Sequence, residues 1–242
     1  MRLPAIQGMI ERRLLVNFRV RPDVIARHLP PPFRPQVVHG WAIGGICLIR
    51  LADVRPRALP RCLGFSSENA AHRIAVEWPS EQGWSRGVFI PRRDTSSQLN
   101  VCLGGRLFPG EHHRATFEVD EADDRYRVRL TSHDRATRVS VDASVAREFG
   151  ATSIFSTLEE ASAFFEQGSL GYSVTGRPGV FEGLELHTLD WRVEPLDVHD
   201  VGSSFFLDDA LFPEGSTEFD CALLMRDIPH EWHSRQELCC VA

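Results

Sequence analysis

The chain has 242 residues, 43% of them hydrophobic and 25% charged, with a formal net charge of -6. That length can bury a sizeable core, the longest apolar run (Trp41 to Ile49) is too short to span a bilayer, and an acidic chain without interleaved aromatic and basic residues excludes nucleic acid as an expected partner. All 27 basic residues are arginine, so a Schiff base between a lysine amine and a carbonyl substrate is excluded as well.

The N-terminal MRLPAIQGMIERR lacks the apolar core and small-residue cleavage site of a secretory signal, which predicts a cytoplasmic protein with no membrane partner. Six cysteines (Cys47, Cys62, Cys102, Cys221, Cys239, Cys240) show neither C-x-x-C spacing nor scaffold density, and read as reduced thiols. The final CCVA lacks an aliphatic second position and a polybasic lead, so it reads as a frayed tail rather than a prenylation signal. One domain over residues 1–242 is expected.

In chain order, RLLVNFRV (Arg13 to Val20) reads as a strand and PDVIARHLPPPF as a short helix ended by Pro30 to Pro32. QVVHGWAIGGICLIRLADV predicts two strands meeting at His39-Gly40, and NAAHRIAVEW and GVFI two more. Asp94 or Thr95 is placed to cap a helix through SSQLNVCLGGRLF. HRATFEV, RYRVRLTS and RVSVDASV alternate as strands. In STLEEASAFFEQG, Ser156 with Glu159 forms a capping-box pattern and Gly168 a stop. GVFEGLELHTLDWRVEPLDV predicts one long strand and EFDCALLMRDI another. The sum favours an α+β, mainly β protein built on a closed antiparallel sheet with a few short helices.

The common catalytic signatures are absent: GFSSE fails the last position of a nucleophile elbow, and there is no Walker loop or dinucleotide fingerprint. His112-His113 and His230 with His233 are the best metal-binding pairs, but adjacent strand residues face opposite ways and neither pair has a third ligand. No metal and no cofactor are expected.

Four stretches together resemble the acetoacetate decarboxylase-like superfamily, and more closely its uncharacterised YqjF-like branch, domain of unknown function 2071. They are FRVRPDVIARHLPPPF with HGWAIGGICLI, LGFSSENAAHRIAVEW, GVFIPRRDTSSQLNV, and STLEEASAFFEQGSLGYSV with LHTLDW. The resemblance implies a cone-like antiparallel β-barrel enclosing a small-molecule cavity, often in homo-oligomers. By the same resemblance, Arg19 matches the decarboxylases' carboxylate-binding arginine and Glu68 an acidic residue of their active site. Arg92 stands where they carry the Schiff-base lysine, Arg93 at the neighbouring lysine, and Gly44 in place of a second glutamate. Arginine is no amine nucleophile, so their decarboxylation route is not available here.

A guanidinium can hold a carboxylate bidentately and stabilise a developing oxyanion. The expected site therefore has Glu68, Arg92 and His72 as catalytic groups and Arg19, Arg93 and Gln98 as substrate-binding groups. His72 follows Glu68 by four residues on one strand face, and alternation should send only one of Arg92 and Arg93 inward. Bland alternatives accompany each: Arg92 and Arg93 as a solvated strand end or in ion pairs with Asp94 and Glu68, His72 as a structural histidine, and Asp94 as a helix cap with Gln98 one turn on. The expected function is a cofactor-independent lyase, isomerase or cyclase acting by proton transfer on a small carboxylate-bearing or enolisable compound. The alternative is a non-catalytic barrel that binds such a ligand.

Overall fold

A computed structural model of the chain describes residues 5–81, 83–102 and 110–239. Strand β1 (Ile6–Val20) leads into a helix α1 (Pro22–Ile25) extended by a 3-10 turn, with Pro22 in the first turn as its fixed φ favours. Two short strands, β2 (Arg34–Pro35) and β3 (Val37–Val38), precede β4 (Trp41–Pro56), and the His39-Gly40 turn joins the last two as expected. Then come β5 (Phe65–Ser80), β6 (Gly83–Thr95), a short α2 (Gln98–Cys102), β7 (His112–Ala122), β8 (Arg125–Ser132) and β9 (Arg138–Val145). Helix α3 (Leu158–Gln167) is followed by β10 (Leu170–Val174), β11 (Val180–Thr188), β12 (Glu194–Ser203) and the long β13 (Thr217–Cys239).

The protein is mainly β: among the described residues thirteen strands form one mixed sheet that closes on itself. It is mixed rather than wholly antiparallel because β6 pairs in parallel with both β10 and β7, one after the other along the same edge. Five strands in the order β13-β1-β4-β5-β6 make a common wall. Strands β10 and β11 close this wall at one end, and β7, β8, β9 and β12 close it at the other. No helix among the described residues is long and apolar enough to cross a membrane.

Because strand side chains alternate, the wall buries both of its faces. Leu14, Val16, Ile46 and Leu48 pack against Val128 and Leu130 of β8 and Val139 and Val141 of β9. On the opposite face, Leu15, Cys47, Ile49 and Leu223 pack with Leu184 of β11 and with Ala161 and Phe165 of α3. This double burial explains why WAIGGICLI reads as a continuous apolar run rather than an alternating one.

Three expectations change in detail. The long strand over GVFEGLELHTLDWRVEPLDV is two strands, because β11 and β12 pair with the same edge of β13 at different heights: Thr188 lies opposite His230 and Glu194 opposite Leu224. The cap of α3 is shifted by one residue. Thr157 accepts a hydrogen bond from the Glu160 amide at 3.2 Å, and Glu160 reaches back to the Ser156 amide at 2.7 Å. The helix after β6 is capped neither by Asp94 nor directly by Thr95: Ser97 accepts from the Asn100 amide at 3.3 Å, while Thr95 accepts from Ser97 at 3.1 Å. Residues 103–108 of that expected helix lie outside the described residues.

Gly44 makes room for an aromatic plug. Phe206 is fully buried, stacks on Phe18 at 5.0 Å, and lies so close that a Cβ at Gly44 would sit 2.3 Å from its ring. Gly44→Ala should destabilise the fold by about 1–3 kcal/mol through overpacking. The check is a lower urea midpoint at unchanged m-value; an unchanged midpoint would mean that Phe206 has room to move.

Candidate anion-binding cavity

Three rows of cross-strand neighbours build the wall of one cavity. Arg13 of β1 lies opposite Ile49 of β4, which faces Asn69 of β5. Leu15, Cys47, Ala71 and Arg93 form the next row across β1, β4, β5 and β6. Asn17, Gly45 and Arg73 form the third. Adjacent strands are about 4.8 Å apart, so Cys47 and Arg93 are separated by roughly 10 Å of backbone spacing that only the methyl of Ala71 occupies. The cavity so bounded has a volume of about 110 Å³, and its polar lining includes Arg13, Arg73, Arg93, Asn100, His112 and Asp94.

The three arginines share an unusual electrostatic situation. Arg13 donates from Nε to the Cys47 sulfur at 3.2 Å and from Nη1 to the Met225 sulfur at 3.7 Å, and its guanidinium lies 5.9 Å from the Trp191 ring centroid. Arg73 donates from Nη2 to the Asn17 carboxamide oxygen at 2.5 Å, a reach that a side chain at Gly45 would crowd. Its Nε has no partner among the described residues, and its guanidinium lies 5.1 Å from the Phe165 ring. Arg93 donates from Nε to Ser173 at 3.0 Å and lines the cavity. Burial lowers both Arg73 and Arg93 to about 10; the positive charge of Arg13 adds to the effect on Arg73.

None of the three forms an ion pair among the described residues. Buried charges are ordinarily paired, since removing an ion from water costs several kcal/mol. Three guanidinium groups gathered around one cavity also repel each other. An anion inside the cavity removes both penalties.

The opposite face of the wall is charged too, but there the arginines Arg12, Arg50 and Arg92 are matched by carboxylates. Arg12, 2% exposed, donates to Glu68 at 2.5 Å and pairs with Glu121. Arg50 bonds the same two carboxylates at 2.6 and 3.2 Å. Glu68 therefore sits in a closed four-charge network. Arg92 clamps Asp94 at 2.8 Å and Asp134 at 2.9 Å. Burial raises Asp94 above the usual carboxylate range while Arg92 opposes the shift.

A bulge at Ile90 and Pro91, between the pairs Ile74 with Phe89 and His72 with Arg92, sets the phase of this segment. Of the two adjacent arginines, Arg93 faces the cavity and Arg92 faces the carboxylates. His72, on the Arg92 side, is 2% exposed and lies against Phe205 and Phe206, with ring centroids 5.8 and 6.2 Å away. Burial, then the charge of Arg92, lowers it to about 4.

Arg19 is remote from the cavity: it bonds Glu218 at 2.5 Å and the Thr152 carbonyl at 2.8 Å. Gln98 is exposed at the start of α2. The grouping of Arg19, Glu68 and Arg92 expected from the sequence is thus not assembled, since each is engaged with different partners. Sequence reasoning missed Arg13, Arg73, Cys47 and Asn100. The available signal was an arginine inside an otherwise apolar strand, as in RRLLV and AHRIAV, where the pleat forces a charge into the core. Of the histidine pairs, His112 contacts the Gly110 carbonyl at 3.2 Å and is lowered to about 3 by burial and by Arg93. His113 instead approaches Asp134 at 3.4 Å. Among the described residues no group of three or more His, Cys, Asp or Glu is placed to hold a metal ion.

Residues 9–220 match a family described as an uncharacterized conserved protein, DUF2071. The chain belongs to the DUF2071 family. Solved structures show the same fold for this DUF2071 chain. An acetoacetate decarboxylase from Legionella pneumophila is similar at a TM-score of 0.62 and 9% identity, over 99% of this chain and 88% of that one. An acetoacetate decarboxylase-like enzyme from Sphingomonas wittichii reaches 0.56 at 12% identity, covering 98% and 93%. The enduracididine biosynthesis enzyme MppR complexed with pyruvate reaches 0.55 at 13% identity, covering 97% and 89%. Among curated protein sequences, none matches this chain significantly.

His72, on the face opposite the cavity, gives the fold a pH signature. Its folded value of about 4 lies below the ordinary 6.5, so the unfolded chain binds more protons between those limits. The stability it contributes is complete above about pH 6.5 and is lost as pH falls toward 4. His72→Phe should flatten the stability slope in that window by up to about 1.4 kcal/mol per pH unit, read from urea midpoints at several pH values. An identical slope in the variant would show that His72 is not held neutral by the fold.

Proposed function

We propose that this DUF2071 protein is a cofactor-independent enzyme acting by proton transfer on a small carboxylate-bearing, enolisable metabolite held between Arg13, Arg73 and Arg93. The observation that carries the proposal is the gathering of three guanidinium groups, those of Arg13 and Arg73 buried and that of Arg93 partly buried, none of them in an ion pair among the described residues, around one cavity. A volume of about 110 Å³ suits a metabolite of a few carbons. The pyruvate bound by MppR, a protein of the same fold, supports that ligand class.

In this reading one guanidinium binds the substrate carboxylate as a planar fork, and a second stabilises the enolate oxygen as charge develops. This reading assigns the proton to Asp94, a residue that borders the cavity but whose buried carboxyl, with its raised pKa, is held by Arg92 and would have to be released toward the ligand. Imine chemistry has no part, because the chain has no lysine. The products of such chemistry are those of a lyase, isomerase or cyclase. A non-catalytic binding barrel is favoured instead by one observation: Asp94 is clamped by Arg92, and Glu68 is held by Arg12 and Arg50 away from the cavity.

Proton NMR in deuterated water, with pyruvate and a panel of enolisable acids, separates the two. Catalysed loss of the signal from protons next to the carbonyl supports the enzyme; line broadening without exchange supports the binder. Arg93→Met should weaken pyruvate binding about ten- to a hundredfold, the worth of a charge-assisted hydrogen bond. Arg19→Met should leave it unchanged, and the reverse pattern would move the ligand to the Arg19 end of the wall.

A further inference from the structure

Cys47 stands at the convergence of the cavity's cations. Arg13 Nε donates to its sulfur at 3.2 Å, and the same sulfur lies within electrostatic reach of Arg73 and Arg93. Its cross-strand neighbour Ala71 leaves open the space between Cys47 and Arg93. Cys47 is 7% exposed and lines the cavity. Two polar groups of that cavity point to a ligand independently of the sulfur. Asn100 is 4% exposed with its carboxamide oxygen unpartnered among the described residues, and Arg73, 6% exposed, has an unpartnered Nε.

Cys221, Cys62 and Cys239 lack this setting. Cys221 is buried outside the cavity lining, where burial, reinforced by the neighbouring Asp220, pushes its thiol up. Cys62 and Cys239 are exposed.

We propose that Cys47 is a nucleophile for small anionic electrophiles, of the class of α,β-unsaturated carboxylates, brought to its sulfur by Arg13, Arg73 and Arg93. The proposal rests on the anion-binding reading of the same cavity and adds a covalent step to it. A sulfur lone pair forms the S–C bond at the β carbon, and the π pair of the C=C bond moves toward the carboxylate-bearing carbon as an enolate. The guanidinium groups hold the enolate oxygens, and the thiol proton ends on that carbon. The whole acid is added and nothing leaves.

The test compares iodoacetate with iodoacetamide, which offer the same reacting carbon with and without a negative charge, on the intact protein with site-resolved mass spectrometry. In both reactions the S–C bond forms, iodide leaves with the C–I pair and the thiol proton passes to buffer. The ratio of the iodoacetate rate to the iodoacetamide rate at Cys47 should exceed that at Cys62 and Cys239 by at least about tenfold, the range of electrostatic focusing in a charged cleft. Arg73→Met and Arg93→Met should each lower the ratio at Cys47 alone, and acrylate should add to Cys47 with the mass of the intact acid. The wild-type comparison needs no variant to fold. A ratio at Cys47 equal to that of the exposed thiols, or a Cys47 inert to every reagent, overturns the proposal. If pyruvate still binds in that case, the anion site stands and only the nucleophile falls. A charge preference at Cys47 without pyruvate binding would keep the nucleophile and remove the enolisable-acid reading.

Discussion

The two-residue pleat of the common wall is the constraint on which the rest of the structure depends. Strand β1 is hydrogen-bonded along both edges, to β13 and to β4, so it cannot twist a side chain away from the face its position assigns. Arg12 and Arg13 therefore part company, one to each face, and Arg92 and Arg93 do the same on β6. Each adjacent pair of arginines delivers one charge to a network of carboxylates and one to the cavity.

That division sorts the charges by function. On the carboxylate side, Arg12 and Arg50 meet Glu68 and Glu121, and Arg92 meets Asp94 and Asp134. Satisfied networks of this kind hold the strands in register and leave nothing over for a ligand. On the cavity side the guanidinium groups are held by sulfur, carboxamide, hydroxyl and aromatic neighbours, which orient them without neutralising them. A preorganised set of cations that is not paired with a protein carboxylate is what an anionic ligand would require.

Much of the fold was legible as period-two alternation and turn chemistry. RYRVRLTS and RVSVDASV became β8 and β9, and His39-Gly40 became the turn before β4. What was not legible depended on partners. The break between β11 and β12 follows from β13 serving both closures, and the parallel pairing of β6 follows from β7 and β10 meeting one edge. The α3 cap moved by one residue because STLEE offers two hydroxyls and two glutamates in either register, and the accepted register lets Glu160 also meet His39 at 2.7 Å. Gly44 gave no hint that Phe206 would fill the space above it.

By itself the sequence determined that no lysine chemistry is possible, that the chain is built of strands, and that adjacent arginines on one strand must face opposite ways. These follow from residue identity and from the geometry of a single extended strand. Only the tertiary structure decided which arginine of each pair is neutralised. The counter-charges come from far along the chain, Glu121 standing 109 residues from Arg12 and Asp134 standing 42 from Arg92. Electrostatic pairing is a matter of distance in space, and closure of the sheet sets that distance. It brought carboxylates to one face of the wall and left Arg13, Arg73 and Arg93 facing the cavity on the other.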